Sequence, residues 1–220
     1  NKLVRIVMQL IEKILQASLL LFNEEGEPNV TTVDIANELE ISPGNLYYHF
    51  KGKEVIIDVL FSRFEEGFTE ILHAPIKKEL KVEDSWYYLH VIFEEIYHYR
   101  FIYHNINDLL FRYASLAKKF RRLLNLKHQT AKTLITSLCD AGILSIQEKD
   151  IDILVGNIVM TTTYWVAYSV LCNEKQDEQV IINKGVFQIL SLVSPYLGSG
   201  KKEFLDFCDK YYQQVFGEFL

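Results

Sequence analysis

The sequence predicts an all-α protein, on three observations. The four prolines, Pro28, Pro43, Pro75 and Pro195, fall where apolar periodic stretches begin or end, which is where helices tolerate them. β-branched residues recur at three- and four-residue spacing, without the alternation of a half-buried strand. Residues of the Ser/Thr type with an acid three positions on, Thr31 with Asp34 and Ser145 with Glu148, precede two of the stretches, as helix caps do.

The elements follow in order. Residues 3–22 are strongly apolar and stop at the polar, Gly-containing NEEGEPN, which reads as a loop. Thr31 or Thr32 caps a short helix, VDIANELE. Asp34 closes a capping box from Thr31, and Ile35, Ala36 and Leu39 form one apolar face. Ser42 is the next N-cap, with Pro43 at the first helical position, where its missing N–H costs nothing. A helix from about Lys53 to Leu72 carries Val55, Ile56, Val59, Leu60 and Phe64 at helical spacing. After the connector HAPIKKELKVED, helices are expected near 84–103, 106–113, 115–140, 148–172, 178–196 and 201–218. The fourth of these is opened by a Ser145–Glu148 capping box and the third is ended by Cys139-Asp140-Ala141-Gly142. The expected division is an N-terminal three-helix, helix-turn-helix domain over residues 1–70 and a helical bundle over 71–220.

Composition narrows the function classes. Three cysteines, Cys139, Cys172 and Cys208, lie far apart with no CxxC spacing, so neither a disulfide framework nor a structural zinc site is expected; a reducing, cytoplasmic location fits. No signal peptide and no run of about 18 uninterrupted apolar residues is found, so no membrane partner is expected. No GxSxG, HExxH or phosphate loop is present, and no enzyme is expected. The net charge of −6 argues against a protein that coats nucleic acid, though not against a local basic patch.

The stretch ISPGNLYYHFKGK, residues 41–53, is such a patch. VDIANELE and PGNLYYHF have the lengths of a helix-turn-helix pair, whose second helix enters the major groove. Ser42 and the N–H groups at the helix start suit a phosphate. Asn45 can donate and accept at base edges, and Tyr47 can pack on a thymine methyl. Tyr48, His49, Lys51 and Lys53 bring polar tips to the backbone, while Leu46 and Phe50, four apart, turn back into the core. Residues 1–60 hold five basic side chains against nine acidic ones, but no acid lies between Ile41 and Lys53.

These residues resemble the DNA-binding region of the tetracycline-repressor (TetR) family of bacterial transcriptional regulators. The resemblance is carried by Phe22, Gly26, Thr31-Thr32, Ile35-Ala36, Leu46-Tyr47-Tyr48-His49-Phe50 and Lys53-Glu54, and is specific across about residues 3–60. It implies base-facing or thymine-facing roles for Asn45 and Tyr47, with Pro43 and Gly44 at the helix tip. It implies phosphate contacts from Thr32, Tyr48, His49 and Lys53, with Lys2 and Arg5 as further reach. It also implies a homodimer on a double-stranded, pseudo-palindromic DNA operator, and a small-molecule effector bound in the second domain.

The second domain supplies aromatic material. WYYLHVIFEEIYHYRFIYHN, residues 86–105, is aromatic on every side. Phe93, Tyr97 and Phe101, with Phe111, Tyr113, Trp165 and Tyr168, are the candidate lining of an apolar or amphipathic effector's pocket, though any one of them taken alone reads better as ordinary core. His90, Glu94 and His98 share a face at i, i+4, i+8. Three ligands in line on one helix span about 12 Å, too far for one ion, so no metal and no cofactor is expected. The basic run KKFRRLLNLK, residues 118–127, reads as a solvated face or a seat for an acidic ligand. The apolar helices near 151–171 and 180–197 are the expected dimer contacts. The readings that compete with a regulator are a helical metal-binding protein or enzyme using His90, Glu94 and His98, and an adaptor that binds no DNA.

Overall fold

The computed structural model describes residues 2–74, 82–172, 177–198 and 201–216; Pro75 and most of the HAPIKKELKVED connector lie outside them, as does the side chain of Lys2. The described chain is helical throughout: α1 (Lys2–Leu21), α2 (Thr32–Glu38), α3 (Pro43–His49), α4 (Lys53–Leu72), α5 (Val82–His98), α6 (Arg100–His104), α7 (Ile106–Arg112), α8 (Ala114–Asp140), α9 (Glu148–Cys172), α10 (Glu178–Val193) and α11 (Lys201–Phe216). Among the described residues no strand forms, and one isolated bridge pairs Leu144 with Leu197.

The chain divides into two compact units. One runs to Glu66 and takes in Tyr99–Lys118; the other comprises Gly67–His98 and the chain from Lys119 onward. The division is therefore not the contiguous one at residue 70 that the sequence suggests.

In the first unit the expected loop after α1 is wound into a π-helical turn, Phe22–Gly26, and a 3-10 turn, Glu27–Asn29. Phe22, Val30, Ile35, Ala36, Leu46, Ile56, Ile57, Leu60, Phe61 and Phe64 are buried together with Ile14 and Leu15 of α1. Val55, assigned to this face from its spacing, is instead exposed, and Ile57 takes the inward position. Tyr99 and Tyr103 pack their rings on Phe64, with centroids 5.4 and 5.7 Å apart. The expected helix over 84–103 breaks at Tyr99 (φ −106°, ψ 36°). The side chain of Asn23 accepts the Phe101 N–H at 3.0 Å and so satisfies a donor at the start of α6.

In the second unit α10 is clasped by α5 and α9. Trp86 and Phe93 of α5 are buried with Ile182, Val186, Ile189 and Leu190 of α10. The closeness depends on Gly185: a Cβ there would lie 2.7 Å from Phe93 Cε1 and 2.8 Å from Trp165 Cδ1 and Nε1. Trp165 cannot swing aside freely, because its Nε1 donates to Ile181 O at 2.8 Å. Gly185→Ala is therefore expected to lower stability by about 1–3 kcal/mol through overpacking, outweighing the gain in helix propensity; a urea midpoint at or above wild type would show that the two rings yield instead.

α8 ends where expected. Gly142 adopts φ +72°, the Gly142 N–H donates to Cys139 O, and the Ile143 N–H donates to Leu138 O, which together satisfy the last carbonyls. The expected capping box does not open α9. Ser145 instead gives its N–H to Tyr196 O at 2.8 Å, and the helix begins at Glu148. By length and composition α9 could cross a membrane, but Leu154, Val155, Val159, Thr162, Thr163, Val166 and Ser169 are buried inside its own unit.

Candidate functional site

α2 starts on a reciprocal cap. The Asp34 N–H donates to Thr31 Oγ1 at 3.2 Å, and the Thr31 N–H donates to Asp34 Oδ2 at 2.7 Å. The Thr31 hydroxyl also donates to Asp34 Oδ2 at 2.6 Å, and this bond together with that from the Thr31 N–H holds the Asp34 carboxyl below its usual range. The turn after α2 places Glu40 in the left-handed region (φ 54°), letting the Ile41 N–H reach Ala36 O at 3.0 Å. α3 then starts on Ser42, whose Oγ accepts the Asn45 N–H at 3.1 Å, with Pro43 in the first turn.

α3 is anchored by Leu46 and by Phe50 just past its end, which are 1% and 5% exposed. Burial of such side chains stabilises by roughly 1.5–3 kcal/mol each, and it leaves the opposite face bare. Pro43, Gly44, Asn45, Tyr47 and Tyr48 are exposed, and Thr32 and His49 are half-buried. Tyr47 and Tyr48 are 57% and 75% exposed. Lys51 Nζ stands 4.7 Å from the Tyr47 ring centroid and 5.9 Å from that of Tyr48. The His49 ring meets Tyr48 edge-on at 5.1 Å. The result is an amide, two phenols, an imidazole and an ammonium displayed along one short helix, with Arg5 of α1 also exposed.

Lys53 departs from expectation. Its ammonium lies 3.0 Å from Glu27 Oε1 and donates to Glu27 O at 2.8 Å and Val30 O at 2.9 Å. Three donors meet three acceptors, so the side chain is an internal tie rather than an outward phosphate ligand. The partner, Glu27, is the residue the sequence hid: it sits in a polar loop, yet is 2% exposed. Arg112 bonds both of its carboxylate oxygens, Nη1 at 3.2 Å from Oε1 and Nη2 on Oε2, and the Tyr113 hydroxyl donates to Oε1 at 3.0 Å. Burial alone would raise the Glu27 carboxyl; the bonds from Arg112 and Lys53 overcome it and hold it low. The same cluster pushes the Tyr113 phenol up to about 12, through burial and the Glu27 charge.

The second unit contains a cavity of about 420 Å³, lined by α4, α5, α8, α9 and α10 together with residues 143–144, Leu197 and Phe204. Its volume lies in the ~300–1,000 Å³ range of small-molecule sites. The walls are mainly aliphatic, with Tyr87, Tyr88, Asp84, Ser85, Thr130, Thr162 and Lys127 as the polar or amphipathic members. None of the seven aromatic residues expected to line a pocket lines this one. Phe93 is core, with Tyr97 and Trp165 packed against the same cluster. Phe101 lies on Phe22, with ring centroids 5.4 Å apart, and Tyr113 bonds Glu27, both in the first unit. Phe111 and Tyr168 are 90% and 57% exposed. The lining instead follows one face of α8: Lys127, Ala131, Leu134 and Leu138, at i, i+4, i+7 and i+11. A lysine within that apolar stripe was the available signal. It also revises the reading of 118–127 as a solvated face, since Lys127 is only 4% exposed.

His90 and Glu94 meet each other, Nε2 to Oε1 at 3.3 Å. Among the described residues no group of three or more His, Cys, Asp or Glu side chains is placed to hold a metal.

A capped two-helix pair that displays an amide, phenols and a lysine from a buried footing is the head of a helix-turn-helix DNA-binding regulator. Residues 14–60 match the family described as bacterial regulatory proteins, tetR family, and residues 63–204 match TetR, bacterial transcriptional repressor. The chain belongs to the TetR family of bacterial transcriptional regulators. A crystallised TetR-family regulator from Marinobacter aquaeolei VT8 is 33% identical, with 91% of this chain and 97% of that one covered and a TM-score of 0.82. The fatty acid degradation regulator FadR from Bacillus halodurans, at 18% identity, 81% and 93% coverage and a TM-score of 0.59, shares the fold. The probable HTH-type transcriptional regulator YttP of Bacillus subtilis (strain 168) is 30% identical over 63 residues, 29% of this chain. That match spans 30% of the relative's length.

Proposed function

We propose that this protein is a ligand-responsive transcription regulator, most simply a repressor. It reads a pseudo-palindromic DNA operator as a homodimer in the cytoplasm and is released by a small apolar or amphipathic effector in the second unit's cavity. The observation that carries the reading is α3, whose apolar residue Leu46 is spent on the core while Asn45, Tyr47 and Tyr48 are presented to solvent. Large aromatic surface is not left bare on a short, well-capped helix without a partner to cover it.

Dimerisation is supported by α9. Ile153, Met160, Tyr164, Tyr168 and Leu171 are exposed along one stripe of it, at 64%, 58%, 45%, 57% and 85%. A two-fold interface needs such a self-complementary patch. α10, the other expected dimer helix, has its apolar positions Ile181, Ile182, Val186, Ile189 and Leu190 buried within its own unit, so α9 is the better candidate for the contact.

The test is fluorescence anisotropy against DNA from upstream of the protein's own gene, with a scrambled duplex as control, at two salt concentrations. Specific binding that weakens with salt is expected, since phosphate neutralisation releases counterions. Asn45→Ala is expected to cost roughly 1–3 kcal/mol and to relax base preference. Wild-type affinity and selectivity in both Asn45→Ala and Tyr47→Ala would remove α3 from the reading role.

A further inference from the structure

The cavity is long for its volume. Its wall takes in α8 from Lys127 to Leu138, roughly 16 Å along the helix axis, and α5 from Asp84 to Ile92, roughly 12 Å. At roughly 30 Å³ per water-sized group, 420 Å³ admits a ligand of about a dozen heavy atoms. Gathered into fused rings, that many atoms would not reach along the wall; strung as one chain they do. The surface is chiefly leucine, isoleucine and valine, with Leu72, Leu89, Leu134 and Ile158 among them. Such side chains offer dispersion and burial, without the directional stacking that a flat ring system would draw on.

The polar groups of the wall differ in how far they are engaged. Lys127, Asp84 and Ser85 each interact with other groups of the protein, and the Lys127 ammonium stands 5.0 Å from the Phe68 ring centroid. Thr162 Oγ1 donates to Val159 O at 3.1 Å. Tyr88 is the exception: its hydroxyl is buried and has no hydrogen-bond partner among the described residues. A buried hydroxyl left unpaired costs free energy, and a ligand atom that pairs it recovers that cost. Burial pushes the Tyr88 phenol above its ordinary range, so it stays protonated and able to donate. A charged head would give up its water at a wall whose own charges are already engaged, whereas a neutral oxygen gives up less and accepts the phenol's hydrogen bond.

Resting on the effector reading above, we propose that the cavity receives an unbranched aliphatic chain carrying a neutral oxygen, a long-chain alcohol or ketone, with that oxygen accepting from the Tyr88 hydroxyl. The chain lies along the α8 stripe that runs through Ala131, Leu134 and Leu138.

The experiment is calorimetric titration of the full chain, after removal of any co-purified lipid, with decanol, cyclodecanol and decanoate. The two alcohols share carbon number and hydroxyl and differ in shape; decanoate keeps the chain and changes the head. Wild type and Tyr88→Phe are compared, and operator affinity is measured with and without each ligand. Decanol is expected to bind wild type about tenfold or more tighter than cyclodecanol, because only the extended chain buries its full length, and to bind tighter than decanoate. Tyr88→Phe should weaken decanol about fivefold, the loss of one hydrogen bond. The ligand-free variant should be no less stable than wild type in urea, because the hydroxyl it loses has no partner. Cyclodecanol binding as tightly as decanol overturns the chain, decanoate binding tighter overturns the neutral head, and decanol indifferent to Tyr88→Phe overturns the anchor. In each of those cases the effector reading survives if the ligand that binds still lowers operator affinity. Binding of none of the three overturns the whole assignment. Decanol bound as expected, with operator affinity unmoved, sustains the assignment and sinks the effector role instead.

Discussion

Glu27→Ala is expected to destabilise the protein by about 1–3 kcal/mol, the cost of removing a buried carboxylate from charged partners that are themselves partly exposed. The carboxylate is 2% exposed and is shared by Arg112, Lys53 and the Tyr113 hydroxyl. Removing it leaves a guanidinium and an ammonium, each partly exposed, near one another with no anion between them. Glu27→Gln keeps the shape and one acceptor, so it should fall between wild type and Ala. The pH dependence has a definite sign. The folded Glu27 carboxyl is held below its ordinary value, so its contribution is fully present above the unfolded value near 4.5 and is lost as pH falls through the folded one. Wild type should therefore lose stability below about pH 4.5 more steeply than Glu27→Gln. Equal urea midpoints for wild type and Glu27→Ala at pH 7, or parallel acid limbs for wild type and Glu27→Gln, would show that the cluster is not holding the first unit together. The same account predicts that Lys53→Ala acts on folding more than on DNA affinity.

Lys127→Met is expected to stabilise the ligand-free protein, and by an amount that depends on pH. Burial lowers the folded Lys127 to about 7, from an ordinary value of 10.5. Below pH 7 the side chain is charged in both states and the folded one carries the net desolvation cost, on the order of 5 kcal/mol from the shift. Between pH 7 and 10.5 the unfolded chain holds a proton that the folded chain has released, so wild-type stability rises with pH through this window. The advantage of the Met variant should accordingly shrink by about 2 kcal/mol between pH 6.5 and pH 9. Denaturant midpoints of both proteins at the two pH values decide it. A gap that does not narrow would mean that Lys127 keeps its charge in the fold, held by an acidic neighbour such as Asp84 on the same wall.

The helical architecture and the exposed face of α3 are legible from the chain because they rest on local rules. Thr31 with Asp34 and Ser42 with Pro43 cap their helices by bonds between residues three apart. Leu46 and Phe50 are set inward by helical spacing, and the same spacing sets Asn45, Tyr47 and Tyr48 outward. Lys53 was misread because its partners, Glu27 and Val30, are 26 and 23 residues away. Nothing in NEEGEPN distinguishes Glu27 from Glu24 or Glu25 until Arg112 arrives from far along the chain.

The cavity failed to show for a related reason. Aromatic residues mark where area is buried, and Phe93, Tyr97 and Trp165 do fill space. A void is set by where neighbouring side chains stop, which depends on how helices distant in sequence pack. Sequence alone determined the secondary structure, the helix-turn-helix pair and the residues it displays, because caps, periodicity and turn chemistry act over a few residues. Only the tertiary structure decided that a loop glutamate is a buried hub, that residues 99–118 join the first unit, and that Lys127 faces an apolar cavity. Each of these is fixed by contacts between segments whose meeting no local pattern encodes.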